Sequence, residues 1–541
     1  MHPPHPTPLR REDADALNRD GNALRTAGLL DAALSSYERA LAVAPDHAGA
    51  LYNRASVLLQ LDRPAEAIDA FDRLLAQAPD DPVALFHRGN ACMALRRYDD
   101  ALASFDRALV HDRYAAIVHN RRGTALRELG RPAEALACYE HATLCAPPDA
   151  NALMHRGIAL QDLGRYAEAL ECYDRALALR PRDAVTLNNR GNALRELLRP
   201  TDALASYAQA LAQDPGNAGV MYNRSLCRLL VGDFAEGWRE YESRWVGEAI
   251  DSPKRAFAQP LWLGEAPLAG QTILLHAEQG MGDTLQFCRY APLVAERGAT
   301  VVLQVPAPLK RLLGSLAGAS VVIDGADALP RFECHCPLLS LPLAFGTRLS
   351  TIPAEVPYLR APAGSIDPWR ERLGASRGPR IGVAWSGNPA HRNDRRRSLP
   401  LEQFSRLLSL EARFVSLQRE TRDEDAHALL RFADLTHFGE ALRDFGDTAA
   451  LIELMDLVIT ADTAVAHLAG AMGKPVWILL PLVPDWRWLL DRDDSPWYPT
   501  ARLFRQAKAG DWDETLQRVA TALERVLQTK GPLARAFRDT A

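Results

Sequence analysis

Small and aromatic residues recur at a fixed interval through the first half of the chain. A small residue returns every 34 positions, as Gly21, Ala55, Gly89, Gly123, Gly157, Gly191 and Ser225. Twelve positions after these stand Ala33, Ala67, Ala101, Ala135, Ala169, Ala203 and Gly237. Four further on comes an aromatic: Tyr37, Phe71, Phe105, Tyr139, Tyr173, Tyr207 and Tyr241. Pro closes most units, at Pro45, Pro79, Pro147, Pro181 and Pro215. The spacing predicts two short helices per unit. The small residues let helices approach, the aromatic fills the gap between neighbours, and the closing Pro cannot continue a helix. One unit cannot bury its apolar face alone, so stacking into a solenoid with a continuous core is expected. The seventh unit has Ala249 where a Pro would close it and gains Trp238 and Trp245. It reads as a cap that docks on the region C-terminal to it.

This pattern resembles the tetratricopeptide repeat. The resemblance implies a concave groove, lined by the first helix of each unit, that binds peptides or proteins. Near the small residue sit Asn18, Asn22, Asn53, Asn90, Asn120, Asn188, Asn189, Asn192 and Asn223, with His87, Arg121 and His155 in other units. Side-chain amides there suit an extended peptide backbone, and Asn53, Asn120, Asn189 and Asn223 are the candidate groove contacts. The alternative is that they solvate the groove and cap helices.

From about residue 250 the rhythm stops, and Pro253, Pro260, Gly264, Pro267 and Gly270 mark a connector. Apolar runs of strand length then alternate with helical patterns. Strands are expected at Ile273–His276, Thr300–Val305 and Ser320–Ile323, with helices over Thr284–Arg297 and Leu309–Leu316. A second series has strands at Ile381–Trp385, Arg413–Leu417, Leu457–Thr460 and Val476–Leu480, with helices over Leu401–Leu410, Asp447–Met455 and Ala464–Met472. Such alternation predicts parallel sheets covered on both faces, with ligands at the carboxyl ends of the strands. The expected divisions are a flexible N-terminus at 1–12, a solenoid at 13–249, a connector at 250–269 and two doubly wound Rossmann-like halves at 270–365 and 378–530.

Three strand-end motifs carry candidate chemistry. The first is Glu278-Gln279-Gly280-Met281-Gly282-Asp283. Its glycines let a ligand approach the backbone, and Gln286 comes next on the cleft side. Leu285 stands where a dinucleotide fingerprint wants a third Gly, and Gln304-Val305 supplies no acid for a ribose, so no nicotinamide or flavin is expected. Asp283 is either the helix N-cap or a base for an acceptor hydroxyl. The second is Asp462-Thr463-Ala464-Val465-Ala466-His467. Amides at 463–465 and the Thr463 hydroxyl offer a diphosphate a cradle, and His467 lies one helical turn on. Asp462 is expected to orient the loop or bond a sugar hydroxyl. The third is Trp385-Ser386-Gly387-Asn388, leading into His391 to Pro400 with Arg392, Arg395, Arg396 and Arg397. One Arg of that loop is expected on phosphate oxygens.

The Gly-x-Gly-Asp turn, the Asp-Thr-x-x-x-His-Leu-Ala helix and Arg397-Ser398-Leu399-Pro400 resemble the ADP-heptose:lipopolysaccharide heptosyltransferase superfamily over roughly residues 270–510. The resemblance implies a GT-B fold, a nucleotide-diphosphate sugar donor held by the second half, and inverting, metal-independent transfer. It implies Asp283 as base, Asp462, Thr463 and His467 as donor-loop residues, and Arg397 as the phosphate ligand. Ala464 replaces the family's Gly, and Trp486-Arg487-Trp488 with Trp497-Tyr498 depart from its pattern. The tandem order is similar to that of the O-GlcNAc transferases and implies a protein acceptor.

Composition narrows the field. The chain has 541 residues, 63 Lys plus Arg, 68 Asp plus Glu and a net charge of −5. That balance argues against a nucleic-acid binder. The start MHPPHPTPLRRED has no apolar core, and Met455–Val483 is broken by Asp456, Asp462, His467 and Lys474, so neither a signal nor a membrane span is expected. Eight scattered cysteines suit a reducing cytoplasm. Cys334-His335-Cys336 reads as strand or loop, and Asp491-Arg492-Asp493 as incidental, so no metal or other cofactor is expected. The leading expectation is a cytoplasmic glycosyltransferase acting on a protein recruited by the repeats. The alternatives are a catalytically inactive GT-B scaffold, or an enzyme with a glycan or lipid acceptor whose repeats dock an assembly partner.

Overall fold

The computed structural model describes residues 11–111, 115–145, 149–246, 254–375, 378–390 and 393–528. Residues 1–10 of the expected N-terminal segment, and Pro147, Ala249, Pro253, His391 and Arg392, lie outside them. By contact density the chain divides after Pro215 into two compact units.

The first unit is a helical solenoid. Among the described residues its helices pair from Arg11–Thr26 with Leu30–Val43 to Ala184–Glu196 with Pro200–Gln213. The first helix begins at Arg11, two residues before the expected start of the solenoid. The small position recurs because the aromatic lies on it. A Cβ at Gly157 would stand 2.5 Å from Tyr173 Cε1, and one at Gly89 2.4 Å from Phe105 Cε1. These rings are fully buried. A second ladder, polar and unforeseen, runs beside this core at the same period. Arg88 Nε donates to Asp72 of the preceding unit at 2.6 Å, and its Nη1 to Ser104 of its own unit at 2.8 Å. Arg122 bridges Asp106 and Cys138 likewise, and Arg190 bridges Asp174 and Ser206. Each rung ties two repeats together across their helices.

The second unit opens with the seventh helix pair, Ala218–Leu230 and Phe234–Tyr241, and a 3₁₀ turn at Glu242–Trp245. Leu229, Phe234, Trp238 and Tyr241 share one buried core with the strands C-terminal to them. The segment expected as a connector is packed too, with Trp262 and Leu268 buried and Trp262 N–H donating to His335 O at 2.8 Å.

Two parallel sheets come next, as expected of two Rossmann-like halves. The first contains β1 (Thr272–His276), β2 (Thr300–Gln304), β3 (Val321–Ile323) and β4 (Cys334–Pro337), in the order β3-β2-β1-β4. The second contains β5 (Arg380–Ala384), β6 (Arg413–Ser416), β7 (Leu435–Thr436), β8 (Leu457–Ala461), β9 (Val476–Leu480) and β10 (Ala501–Arg505), in the order β10-β9-β8-β5-β6-β7. Strand order reverses between β1 and β4 and between β5 and β8, the crevices where such sheets take ligands.

Several expectations need correction. The single helix expected over Thr284–Arg297 is three pieces, Met281–Phe287, a 3₁₀ turn at Cys288–Tyr290 and Ala291–Ala295. Pro292 sits in the first turn of the last piece, where its missing N–H costs nothing. The Leu401–Leu410 helix is a 3₁₀ turn and one α turn. The stretch expected to join the halves contains a helix, Ile366–Leu373, with Trp369 and Leu373 buried. The helix Trp512–Gln528 and strands β7 and β10 were not foreseen. Cys334-His335-Cys336 forms most of β4, and alternation sends the His to the opposite face from the two thiols, so the three cannot meet on one ion.

Candidate functional site

The first motif, whose Gly280, Gly282 and Gln286 were expected on the acceptor side, lies just after β1. Gly280 is the N-cap of the Met281–Phe287 helix and Asp283 its third residue, so Asp283 is not the N-cap. Its Oδ2 accepts from Gly280 N at 2.8 Å, closing the turn from within. Gly282 is small because the other half packs on it: a Cβ there would lie 2.7 Å from His467 Cδ2 and 3.6 Å from Ala464 Cα. This close approach brings the Asp283 turn and the 462–467 motif to one place.

The second Asp283 oxygen, Oδ1, accepts from Arg487 Nη2 across the two halves. Arg487 also donates from Nε to Gln286 Oε1 at 2.7 Å and from Nη1 to Asp485 Oδ1 at 2.8 Å. Its guanidinium lies over Trp486, 4.2 Å from the ring centroid. Burial alone discourages its charge, but Asp485 and Asp283 outweigh that and raise its pKa. Gln286, expected to face the acceptor, is fully buried; its Oε1 accepts from Arg487, and its Nε2 has no partner among the described residues.

The second motif lies just after β8. Thr463 is the N-cap of the Ala464–Ala471 helix, its Oγ1 accepting from Val465 N at 3.3 Å and lying 3.2 Å from Thr460 Oγ1. The hydroxyl expected to cradle phosphate therefore already caps the helix. His467 is buried, its Nδ1 2.9 Å from Tyr498 Oη and its ring stacked on Trp488 at 5.5 Å. Burial first, then the charges of Arg487, Arg289 and Arg397, push its pKa well below the ordinary value, so it is a neutral imidazole. Asp462 is buried as well. Burial, then the nearby charge of Asp485, push its carboxyl up to about 6.

Among the described arginines of the third motif, Arg397 is the least exposed. Arg395 and Arg396 are exposed, whereas Arg397 is half-buried and donates from Nη1 to Asp462 O at 3.0 Å. Its Nε is buried without an acceptor among the described residues. Gly387 makes room for it, since a Cβ there would stand 2.9 Å from Arg397 Nη2. Gly387 N donates to Ser398 Oγ at 3.0 Å, and Ser398 in turn donates to Asp394, the ion-pair partner of Arg422. Ser386 is buried against Gln418, which donates to its Oγ at 2.9 Å.

Arg289 braces the two halves, donating to Trp497 O at 2.8 Å and to Tyr358 Oη at 2.9 Å. Sequence reasoning missed Arg289, Arg487 and Asp485. The only signal was Asp485-Trp486-Arg487-Trp488 after β9, a buried-type aromatic run with an arginine inside it.

Of the four candidate groove amides, all are half-buried. Asn53 Nδ2 donates to Asn18 Oδ1 at 3.0 Å, so it is already paired with its neighbour repeat. Asn120 Oδ1 is buried without a partner among the described residues. Asn223 lies in the second unit rather than with the other three.

Comparison with known proteins matches the repeat region and part of the second sheet region separately. Tetratricopeptide repeat models match residues 19–82, 82–114, 116–148, 149–215 and 188–253. The glycosyltransferase family 9 (heptosyltransferase) model matches residues 441–479, the stretch that holds Asp462, Thr463 and His467. Protein FlbA of Caulobacter vibrioides is 27% identical over 331 residues, covering 56% of this chain. The chain spans 54% of the length of that relative. Similar solved structures include a tetratricopeptide repeat protein from Parabacteroides merdae, at 15% identity over 43% of this chain and 91% of that one, TM-score 0.39. Another is YrrB, described as a TPR protein with an unusual peptide-binding site, at 22% identity over 32% and 91%, TM-score 0.29. The chain thus carries tetratricopeptide repeats ahead of a region similar to glycosyltransferase family 9.

Proposed function

We propose that this protein is an inverting, metal-independent glycosyltransferase that moves a sugar from a nucleotide-diphosphate donor to a hydroxyl on a protein recruited by its repeats. One observation carries the reading: Gly282 packs on His467, which sets Asp283 of one half beside the family 9-matched loop of the other. Asp283 keeps a carboxylate lone pair beyond its bonds to Gly280 and Arg487, and in this reading takes the acceptor proton there as the hydroxyl attacks the anomeric carbon. The leaving diphosphate is met by Arg397, whose Nε has no acceptor among the described residues, and by the positive end of the Ala464–Ala471 helix. His467, neutral, shapes the site and donates or accepts one hydrogen bond. Asp462, with its raised pKa, stands as a carboxyl able to bond a sugar or ribose hydroxyl.

A second reading, a scaffold without turnover, draws support from two contacts. Arg487 closes on Asp283, and the Thr463 hydroxyl is occupied as a cap. Thermal shift with ADP-, GDP- and UDP-linked sugars and the free diphosphates tests donor binding, and nucleotide release tests turnover. Binding and release support the transferase; binding without release supports the scaffold; no stabilisation by any of them removes both nucleotide readings.

A further inference from the structure

The last repeat contributes polar groups to the segment that carries Asp283. Arg244, in the turn that ends this repeat, has a fully buried side chain. It donates from Nε and Nη2 to the two oxygens of Glu278, at 3.2 and 3.1 Å. Its remaining hydrogens go to Ser340 Oγ at 2.7 Å, Glu242 Oε1 at 2.6 Å and Tyr241 O at 3.2 Å. One residue on, Gln279 Nε2 donates to Tyr241 Oη at 3.1 Å. Glu278 and Gln279 are the two residues immediately before Gly280, whose amide holds Asp283.

A second arm reaches the other member of the Asp283–Arg487 pair. Trp238, from the same repeat, meets Trp486 edge-on at 5.1 Å and Phe287 at 6.2 Å. Trp486 in turn lies under the Arg487 guanidinium. Both partners of the ion pair are therefore approached from one helix and turn of the repeat. A buried bidentate arginine pair gains little net stability over an apolar filling, so its presence points to another role, and a fixed register is the best-attested one.

We infer that Arg244 and Tyr241 are positioning residues: through Glu278 and Gln279 they set the turn that presents Asp283, making the last repeat part of the catalytic framework. The inference rests on the transferase reading for its consequence but not for its test. A shift of about 1 Å in such a turn lowers turnover by roughly a hundredfold.

The test uses the full chain in two variants. Tyr241→Phe removes one hydrogen bond and no volume. The double variant Arg244→Met with Glu278→Gln removes the two fully buried charges together, and the half-buried Glu242 keeps Ser340 Oγ as a donor at 2.8 Å. Amide hydrogen exchange is measured at Gly280 and Thr284, bonded to Asp283 and to Gly280 O respectively, and at β8 as an internal reference. The expected result is roughly tenfold faster exchange at Gly280 and Thr284 in each variant, with β8 unchanged. Unchanged exchange at the turn overturns the inference, and so does an equal rise across β8, which marks a purely structural role. Exchange needs no substrate, so it decides the positioning even if no nucleotide sugar is turned over. Where a donor is turned over, kcat is expected to fall about tenfold or more with the donor KM within about twofold.

Discussion

Asp283 and Arg487 lie 204 residues apart in the chain, yet they form an ion pair that joins the end of β1 in one half to the segment after β9 in the other. The pair is asymmetric in its dependence. Arg487 retains Asp485 and Gln286 when Asp283 is changed, whereas among the described residues Asp283 has the Gly280 amide alone beside it.

Asp283→Asn tests the base on that footing. The amide oxygen still accepts from Gly280 N, so the turn survives and the melting temperature is expected to move by a few degrees at most. An amide takes no proton, so transfer is expected to fall by roughly two to four decades. Donor affinity by titration calorimetry stays near wild type, since no donor contact is lost. Full turnover in this variant makes Asp283 a helix-start residue and nothing more.

Gly282→Ala is expected to destabilise the second unit although its backbone conformation suits any residue. The new methyl meets His467 Cδ2 at 2.7 Å, and that ring is held by Tyr498 and Trp488 and cannot retreat. Overpacking of this kind costs about 1–3 kcal/mol. Urea denaturation monitored by tryptophan fluorescence reads it, because Trp488 lies against the affected ring. An unchanged midpoint would mean the two halves separate easily.

In the solenoid, the two ladders are expected to differ sharply in worth. Gly157→Ala drives a methyl to 2.5 Å from Tyr173 and is expected to cost about 2–3 kcal/mol. Arg88→Gln removes a rung whose Asp72 partner is solvent-exposed, and is expected to cost under about 1 kcal/mol. Calorimetric unfolding of both variants checks the order, and a larger loss from the arginine change reverses it.

Stability is also expected to depend on pH through a buried histidine. His276 lies beside His335, 3.3 Å away, and burial, then Arg255 and His335, push its pKa down to about 3. Its contribution to stability is present above the ordinary histidine value of about 6.5 and is lost as pH falls toward 3. Glu278, pushed up to about 7 by burial against the opposing pull of Arg244, runs the other way: its contribution is present at low pH and lost as pH rises through 7. His276→Gln isolates the first group. The stability gap between wild type and variant is expected to narrow as pH falls from 6.5 to 4.5, by about 1.4 kcal/mol per pH unit at most. Denaturant titrations at three pH values measure the gap, and a constant gap refutes the assignment.

The helix pairs and the two parallel sheets were legible in the sequence because their signals are local. A 34-residue period states its own spacing, and an apolar run bounded by Gly or Pro states a strand. The three motifs at strand ends were found for the same reason, since a parallel sheet always turns toward its ligand face at the carboxyl end of a strand. What each side chain does there was not legible. Thr463 caps its helix, Gln286 serves Arg487, and Gly282 is small for His467 rather than for a ligand. Each role depends on a partner between two and about two hundred residues away, and the long-range partners are chosen by how the halves close. The same holds for Arg244, whose buried charge is balanced by Glu278, 34 residues on. Periodicity and turn chemistry are written over a few neighbouring residues, so the sequence alone determined the elements and the ends that face the cleft. Charge pairing and close packing are settled only when distant segments meet, and the tertiary structure alone decided which residues hold Asp283 in place.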